Sequence, residues 1–363
     1  MTEVPEAGFR TIDELEQIAS ARLPADLFAY VQGGAGEERT LRANREAFAR
    51  AIVRPRILRG VDELDLRVHL LDQPFTAPLF VCPTAYHGKI HPDAESGVAR
   101  AAAAEGLLSV YSTLSSHSLE SIATASGAGG RWFQLYHQPD AVVERRLLER
   151  ADRAGYSAVV LTVDTPVLGV RDRQARGGFA IDASVPIGNG PGILPPPRAP
   201  SPEAGVYRLR PDASATWEWF DRLRETTRLP IVVKGVLTAE DARQCLAHGA
   251  RGIVVSNHGG RQLDGAPATL DALPEVAAAV GSKIEVYMDG GVRRGTDVLV
   301  ALSRGARAVG VGRPILWALS AGGEKAVRRY LSLIKLEIAV SMALSGRRSI
   351  AEIDASLTGP APH

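Results

Sequence analysis

The chain has 363 residues, 45% of them hydrophobic, and a formal net charge of +1. That length can bury a core for one barrel of roughly 250 residues, and the near-neutral balance excludes a global attraction to nucleic acid or acidic surfaces. No run reaches the ~20 apolar residues of a membrane span, and Met1-Thr2-Glu3-Val4-Pro5-Glu6 lacks the basic and apolar parts of a secretory signal, so a cytoplasmic protein with no membrane partner is expected.

In chain order, residues 1 to about 75 read as a helical and irregular N-terminal extension, with helices over Ile12–Ala21 and Ala25–Val31. Eight short apolar runs then recur: Leu79–Pro83, Leu108–Tyr111, Trp132–Leu135, Ala158–Val163, Pro230–Val233, Gly252–Val255, Ile284–Met288 and Ala308–Val311. Such short β-branched runs read as buried strands. Helical periodicity follows most of them, over Asp93–Ala104, Ala141–Ala154, Ala239–His248 and Leu270–Val280. Asp140 and Thr238 stand where N-caps belong, and Gly106, Gly155, Gly249 and Gly281 stand where helices stop. Alternating strands and helices imply a parallel sheet with crossover helices, and eight units predict a closed (β/α)8 TIM barrel over residues 76–345. No GxGxxG follows an early strand, which argues against a dinucleotide fold. After the fourth strand, residues 176–215 are rich in Pro and Gly and read as a long flexible active-site loop. The whole chain, 1–363, reads as one domain. Cys82 and Cys245 have neither pairing nor metal spacing and read as buried thiols of a reducing compartment.

The residues that end each run carry the chemistry. In order they are Thr84, Ser112, Gln134 with Tyr136, Thr162 with Asp164, Lys234, Ser256 with His258 and Arg261, Asp289, then Gly312 with Arg313. A barrel gathers these positions at one mouth, the face where active sites are built. In Ser256-Asn257-His258-Gly259-Gly260-Arg261 a histidine and an arginine leave one strand together, which reads as a base beside an anion clamp. Asp289-Gly290-Gly291-Val292-Arg293 and Gly310-Val311-Gly312-Arg313 end strands seven and eight, where such barrels bind phosphate. Alone, that signal leaves open a phosphorylated substrate, a pyridoxal phosphate or a flavin mononucleotide (FMN). Lys234 favours the flavin, because a cation beside its N1–O2 edge stabilises the reduced anion. Gln134 and Thr162 suit the pyrimidine edge of the same ring. His87, His91, His117, His137 and His248 lack metal spacing and read as surface or local hydrogen-bond partners; no metal is expected.

These residues closely resemble the FMN-dependent α-hydroxy-acid oxidase and dehydrogenase family, which includes glycolate oxidase, lactate oxidase, mandelate dehydrogenase and hydroxymandelate oxidase. The resemblance runs from about Leu23 to Gly346. It takes in Gly33-Gly34-Ala35, Thr40-Leu41 and Asn44, Pro83-Thr84-Ala85, Ser118-Leu119-Glu120, Gln134-Leu135-Tyr136 and Thr162-Val163-Asp164-Thr165-Pro166. It continues through Lys234-Gly235, Ser256 to Asp264, Asp289 to Arg293 and Gly312-Arg313-Pro314. The resemblance implies FMN-dependent oxidation of an (S)-2-hydroxy acid to the 2-oxo acid in a homotetramer. It implies that Thr84, Ala85, Ser112, Gln134, Thr162, Lys234 and Ser256 bind the flavin, with Asp289, Gly291, Arg293, Gly312 and Arg313 at its ribityl chain and phosphate. His258 matches the catalytic base and Asp164 its partner. Arg261 and Arg171 match the carboxylate clamp, and Tyr30 and Tyr136 the tyrosines that contact the substrate.

The chemistry explains those residue types. A 2-hydroxy acid must lose its hydroxyl proton and its Cα hydrogen, so a base near neutral pKa is needed. Bidentate arginines fix the carboxylate and offset its charge. Whether the electrons leave as a hydride or through a carbanion is open in the sequence. Val170 stands where many relatives carry a first arginine, leaving Arg171 alone before the long loop. Leu114 stands where short-chain enzymes often have a bulky aromatic, which predicts room for a longer or aromatic side chain. No cytochrome-like segment precedes the barrel and the 176–215 loop is not a basic amphipathic anchor, so dioxygen is the expected acceptor and hydrogen peroxide the product. The alternative is a dehydrogenase of the same family using a quinone or a carrier protein.

Overall fold

A computed structural model describes residues 9–179, 187–190, 193 and 215–359. Most of the 176–215 segment therefore lies outside the described residues. Eight parallel strands close on themselves: β1 (Leu79–Val81), β2 (Leu108–Ser112), β3 (Arg131–Leu135), β4 (Val159–Thr162), β5 (Ile231–Val236), β6 (Gly252–Val255), β7 (Glu285–Asp289) and β8 (Ala308–Val311). Each predicted run contains its strand to within a few residues. The ring is completed by β8 pairing with β1, Val309 opposite Leu79 and Val311 opposite Val81.

The strands are buried on both faces, which is why they read as continuous apolar runs rather than alternating ones. Alternate residues fill the barrel interior, where Phe80, Leu108, Val110, Trp132, Val160, Val232, Val254 and Tyr287 form one cluster. Their neighbours, such as Leu79, Phe133, Leu135, Val159 and Leu161, pack outward against the helices. Gly310 makes room for this filling: a Cβ there would lie 2.5 Å from Cys82 Sγ and 2.6 Å from the Phe80 ring. The crossover helices start where their caps predict. Asp140 accepts from Val142 N–H and Thr238 from Asp241 N–H, opening helices Ala141–Arg153 and Ala239–Ala247.

The N-terminal extension is more ordered than the sequence suggested. Its first helices, Glu14–Arg22 and Ala25–Gln32, fall close to the predicted ones, and a third, Arg39–Ala49, follows. A hairpin, Val68–Leu70 with Gln73–Phe75, then closes the barrel's N-terminal end. Val68, Leu70 and Phe75 join the interior cluster. The hairpin is tied to strand starts through Ser157 Oγ donating to Gln73 (3.0 Å) and Arg307 Nε donating to the His69 carbonyl (3.0 Å).

After β8, one long helix runs from Arg313 to Ser345 with a break at Gly322-Gly323. Asp93 Oδ2 accepts from Glu324 N–H at 2.8 Å and so caps the restarted helix. No helix among the described residues is long and apolar enough to cross a membrane.

Candidate active site

The strand ends open into a cavity of about 620 Å³, within the usual range for a ligand site. Of the predicted residues, Tyr30, Thr84, Ala85, Ser112, Tyr136, Arg171, Lys234, His258, Arg261, Asp289, Gly291, Arg293, Gly312 and Arg313 line it. Gln134, Thr162, Ser256 and Asp164 do not; Gln134, Ser256 and Asp164 each lie one hydrogen bond behind the wall, and Thr162 lies two behind, through Gln134. Gln134 Oε1 accepts from Ser112 Oγ (3.0 Å), and its Nε2 donates to Thr162 Oγ1 (3.0 Å). These three groups therefore satisfy one another across β2, β3 and β4, where the sequence suggested that Gln134 and Thr162 face the ligand directly.

On β5 and β6, Lys234 Nζ donates to Ser256 Oγ at 2.8 Å, and Ser256 Oγ donates to Asp289 Oδ1 at 2.6 Å. Lys234 also pairs with Asp289 Oδ2 at 3.3 Å. Burial opposes the ammonium, but the carboxylates of Asp289 and Asp164 outweigh it and hold the Lys234 pKa above its ordinary value. A fixed cation thus sits in the cavity wall. Cys82 Sγ lies 3.8 Å from Asp289 Oδ2. Burial and that carboxylate push the thiol up, so it stays neutral.

His258 follows β6 in a tight turn and has φ +56°, a left-handed conformation that histidine tolerates at some cost. The turn is over-determined. His258 N–H donates to Ser256 Oγ (3.1 Å), and the side-chain amides of Asn257 and Asn44 bond each other twice, at 2.8 and 2.9 Å. Asn44 belongs to the helix Arg39–Ala49, so the N-terminal extension holds the catalytic-looking turn in place. Thr40 N–H donates to Asp264 Oδ1 at 2.9 Å and extends that seam.

Asp164, beyond β4, receives His258 Nδ1 at 2.8 Å and Thr165 Oγ1 at 2.8 Å. Its close approach requires Gly235, which has φ +117° and would place a Cβ 2.6 Å from Asp164 Cβ. Burial disfavours the Asp164 carboxylate, but the His258 and Lys234 charges and its hydrogen bonds outweigh this and hold it at about 2. Burial also pushes His258 below its ordinary pKa, with Asp164 opposing. The imidazole is therefore neutral near pH 7, with Nδ1–H on Asp164 and Nε2 available as a base.

Four guanidinium groups complete the wall. Arg261 Nη1 donates to the carbonyls of Tyr30 (2.6 Å) and Gly33 (2.7 Å), and its carbon lies 4.9 Å from the Tyr30 ring centre. Arg171 donates to the Arg261 carbonyl and to Gln262 Oε1, both at 3.1 Å. Arg313 donates to the carbonyls of Val31, Gly259 and Gly33, and Arg293 stacks 4.7 Å from Trp317. Among the described residues, none of the four pairs with a carboxylate. Burial and neighbouring cations lower Arg171 to about 9 and Arg293 to about 10, and hold Arg313 well below its ordinary value. Anions placed among these groups would relieve that strain. Guanidinium groups able to bind anions and a fixed cation fit FMN, whose phosphate and reduced ring are anionic, together with a carboxylate substrate.

Burial pushes the Tyr136 hydroxyl up to about 12, which keeps it a donor. Leu114 lines the cavity as expected. His87 is a local hydrogen-bond partner, as one of the two expectations for the spare histidines had it, and is buried, 2% exposed, with Nε2 2.7 Å from Thr84 Oγ1. His117 and His248 are local partners of Ser96 and Asp221. His137, Gln138, Gln174 and Phe179 also line the cavity, which sequence reasoning missed. Only the position of His137 directly after Tyr136 at a strand end could have signalled it. No group of described residues has the make-up of a metal site.

Residues 19–359 match the FMN-dependent dehydrogenase family. The chain is 44% identical over 353 residues to an L-lactate oxidase of Nostoc sp., covering 94% of this chain and 96% of that protein. It is 43% identical to 2-hydroxyacid oxidase 2 of Rattus norvegicus (93% and 95% covered) and 42% identical to the glycolate oxidase of Spinacia oleracea (95% and 94%). Among solved structures, mandelate oxidase with (S)-2-phenylpropionate superposes with a TM-score of 0.87 at 41% identity, covering 97% of this chain and 98% of that one. A mandelate oxidase mutant with the C4a-OH-FMN adduct gives 0.86 at 41% identity, with 95% and 98% covered. The chain belongs to the FMN-dependent dehydrogenase family.

Proposed function

We propose that this protein uses FMN to oxidise an (S)-2-hydroxy acid to the 2-oxo acid, with His258 as the base and Arg261 and Arg171 holding the carboxylate. The observation that carries the reading is one cavity wall joining the His258–Asp164 pair, at 2.8 Å, to two guanidinium groups that lack carboxylate partners among the described residues. The printed names of the relatives, oxidases of lactate, glycolate and other 2-hydroxy acids, support the same reaction. The whole chain, 1–363, acts as one such domain.

When bound, FMN supplies the acceptor for the two electrons that leave Cα. Thr84, Ala85, Ser112 and Lys234 would hold its ring, backed by Gln134, Thr162 and Ser256, and Asp289, Gly291, Arg293, Gly312 and Arg313 would hold its ribityl chain and phosphate. Gln134 and Thr162 act from behind, by orienting Ser112 and one another. Arg261 and Arg171 fix the substrate carboxylate, which places the hydroxyl and Cα for reaction. Tyr136 donates to the substrate hydroxyl and Tyr30 to the carboxylate. Neutral His258 takes the hydroxyl proton at Nε2, and Asp164 stabilises the imidazolium so formed. Lys234 offsets the negative charge that collects beside it.

Dioxygen is the acceptor in this reading, giving hydrogen peroxide. The protein is cytoplasmic and a homotetramer; the exposed apolar stripe Leu336, Val340 and Leu344 on the long C-terminal helix supports self-association. Anaerobic mixing with lactate, glycolate and mandelate should bleach the yellow holoenzyme, and air should restore the colour within seconds. A holoenzyme that none of them bleaches sinks the reaction, and recovery only over many minutes in air moves the acceptor to a quinone or a carrier protein.

A further inference from the structure

The helix Arg39–Ala49 holds more than the His258 turn. Arg45 Nη1 donates to the Gly291 carbonyl and, at 2.9 Å, to Asp297 Oδ2. Gly291 lines the cavity, and it meets the same helix a second time, since a Cβ there would lie 2.3 Å from the Asn44 carbonyl oxygen. Adjacent residues of one helix thus brace two loops: Asn44 the turn after β6, and Arg45 the loop after β7.

Asp297, in the first turn of the helix Gly295–Ser303, is the group through which Arg45 acts on that loop. Its Oδ2 also accepts from the N–H groups of Arg293 (2.8 Å) and Arg294 (3.1 Å). The carboxylate therefore fixes the backbone from which the Arg293 side chain starts. It is 8% exposed, a negative charge set beside a loop proposed to take a phosphate, and left alone it would repel that ligand. Arg45 meets both needs: it joins this carboxylate to the Gly291 carbonyl, and its charge offsets that of Asp297. Its charge reaches Arg293 as well, where burial and Arg45 together hold the guanidinium down at about 10. Cations crowded in this way are relieved when an anion settles beside them. Arg45 is not among the residues that line the cavity, so it works from behind.

We infer that Arg45 is a positioning residue for the cofactor's phosphate: by bracing Gly291 and neutralising Asp297, it shapes the loop after β7 to accept a phosphate monoester. This rests on the placement of the FMN phosphate at Gly291 and Arg293 proposed above. It adds the N-terminal extension to the parts of the chain that retain the cofactor.

Riboflavin, which is FMN without its phosphate, separates this role from a general structural one. The protein freed of flavin is titrated with each, and binding is read from the quenching of flavin fluorescence. In Arg45→Met the dissociation constant for FMN should rise about tenfold, the effect of one charge-assisted hydrogen bond partly open to water, while that for riboflavin stays within about twofold. Arg45→Lys, which keeps the charge on a shorter side chain, should raise the FMN constant about threefold with riboflavin unchanged, and it decides alone should Arg45→Met fail to fold. Arg50→Met, on the same helix but paired at the surface with Asp271 at 2.6 Å, should change neither constant. Unchanged FMN affinity in the Arg45 variants, an equal loss for both flavins, or the same loss in Arg50→Met overturns the inference. A native protein that binds FMN no more tightly than riboflavin removes the phosphate placement itself, and the inference with it.

Discussion

Two imidazole–carboxylate pairs flank one cavity, and they differ in what surrounds the carboxylate. Glu144 has both oxygens occupied, by His137, Gln138 and Trp219. Asp164 has one oxygen bonded to His258 and Thr165, while the other, Oδ2, is buried without a hydrogen-bond partner. Lys234 also faces Asp164, and its charge helps hold the carboxyl at about 2. A saturated carboxylate fixes a ring in place. One with capacity to spare, in a dry site beside fixed charge, can still strengthen its bond when the imidazole takes up a proton. In the proposed reaction the same pair of residue types is thus a clamp on one wall and a proton acceptor on the other.

Breaking the second kind of pair should have the largest effect. His258→Ala should keep the yellow cofactor yet slow substrate reduction by about 10³-fold or more, measured by anaerobic stopped-flow mixing. A normal rate in that variant would remove His258 from the reaction. Next, Asp164→Asn should lower the rate about a hundredfold by losing both tautomer control and the stabilised imidazolium.

That variant also sharpens the comparison through pH. With His258 as the proposed base, the active form has it neutral, so the rate should rise with pH through the His258 pKa, which burial sets below its ordinary value. Asp164 raises that pKa; its loss should move the acid limb of kcat/KM to still lower pH. A shift toward higher pH would contradict the assignment. The smallest effect should come from Trp219→Leu, which opens the clamp around Glu144 without touching the first pair. Loss of one hydrogen bond and a ring contact should cost about 1 kcal/mol, seen as a melting midpoint roughly 2 °C lower.

Much of this architecture could be read from residue order. Each of the eight barrel strands is short, buried on both faces and followed by a helix with a recognisable cap or stop, so Gly252–Val255 and Ala308–Val311 were predictable to the residue. The strand-end residues converge because parallel strands all point to one mouth. Depth behind the wall was not legible: a Gln at position 134 reads the same whether it meets a ligand or bonds Ser112 and Thr162. His137 was missed for a related reason, since its carboxylate partner lies in the next helix and its aromatic partner 82 positions further on, at Trp219. The helix Arg39–Ala49 was also unread, because its strong polarity hides the face that carries Thr40, Asn44 and Phe48. That helix supplies the amide pair that steadies the His258 turn.

The small hairpin under the barrel has a consequence for traffic. With Val68, Leu70 and Phe75 corking the floor and bulky rings stacked above them, nothing passes through the barrel's axis. In the proposed reaction, fuel, spent keto acid and the oxidant that resets the enzyme would all use the cavity at the opposite end. Whichever of them lingers there would delay the others, so the pace of the whole cycle would depend on how that cavity is cleared.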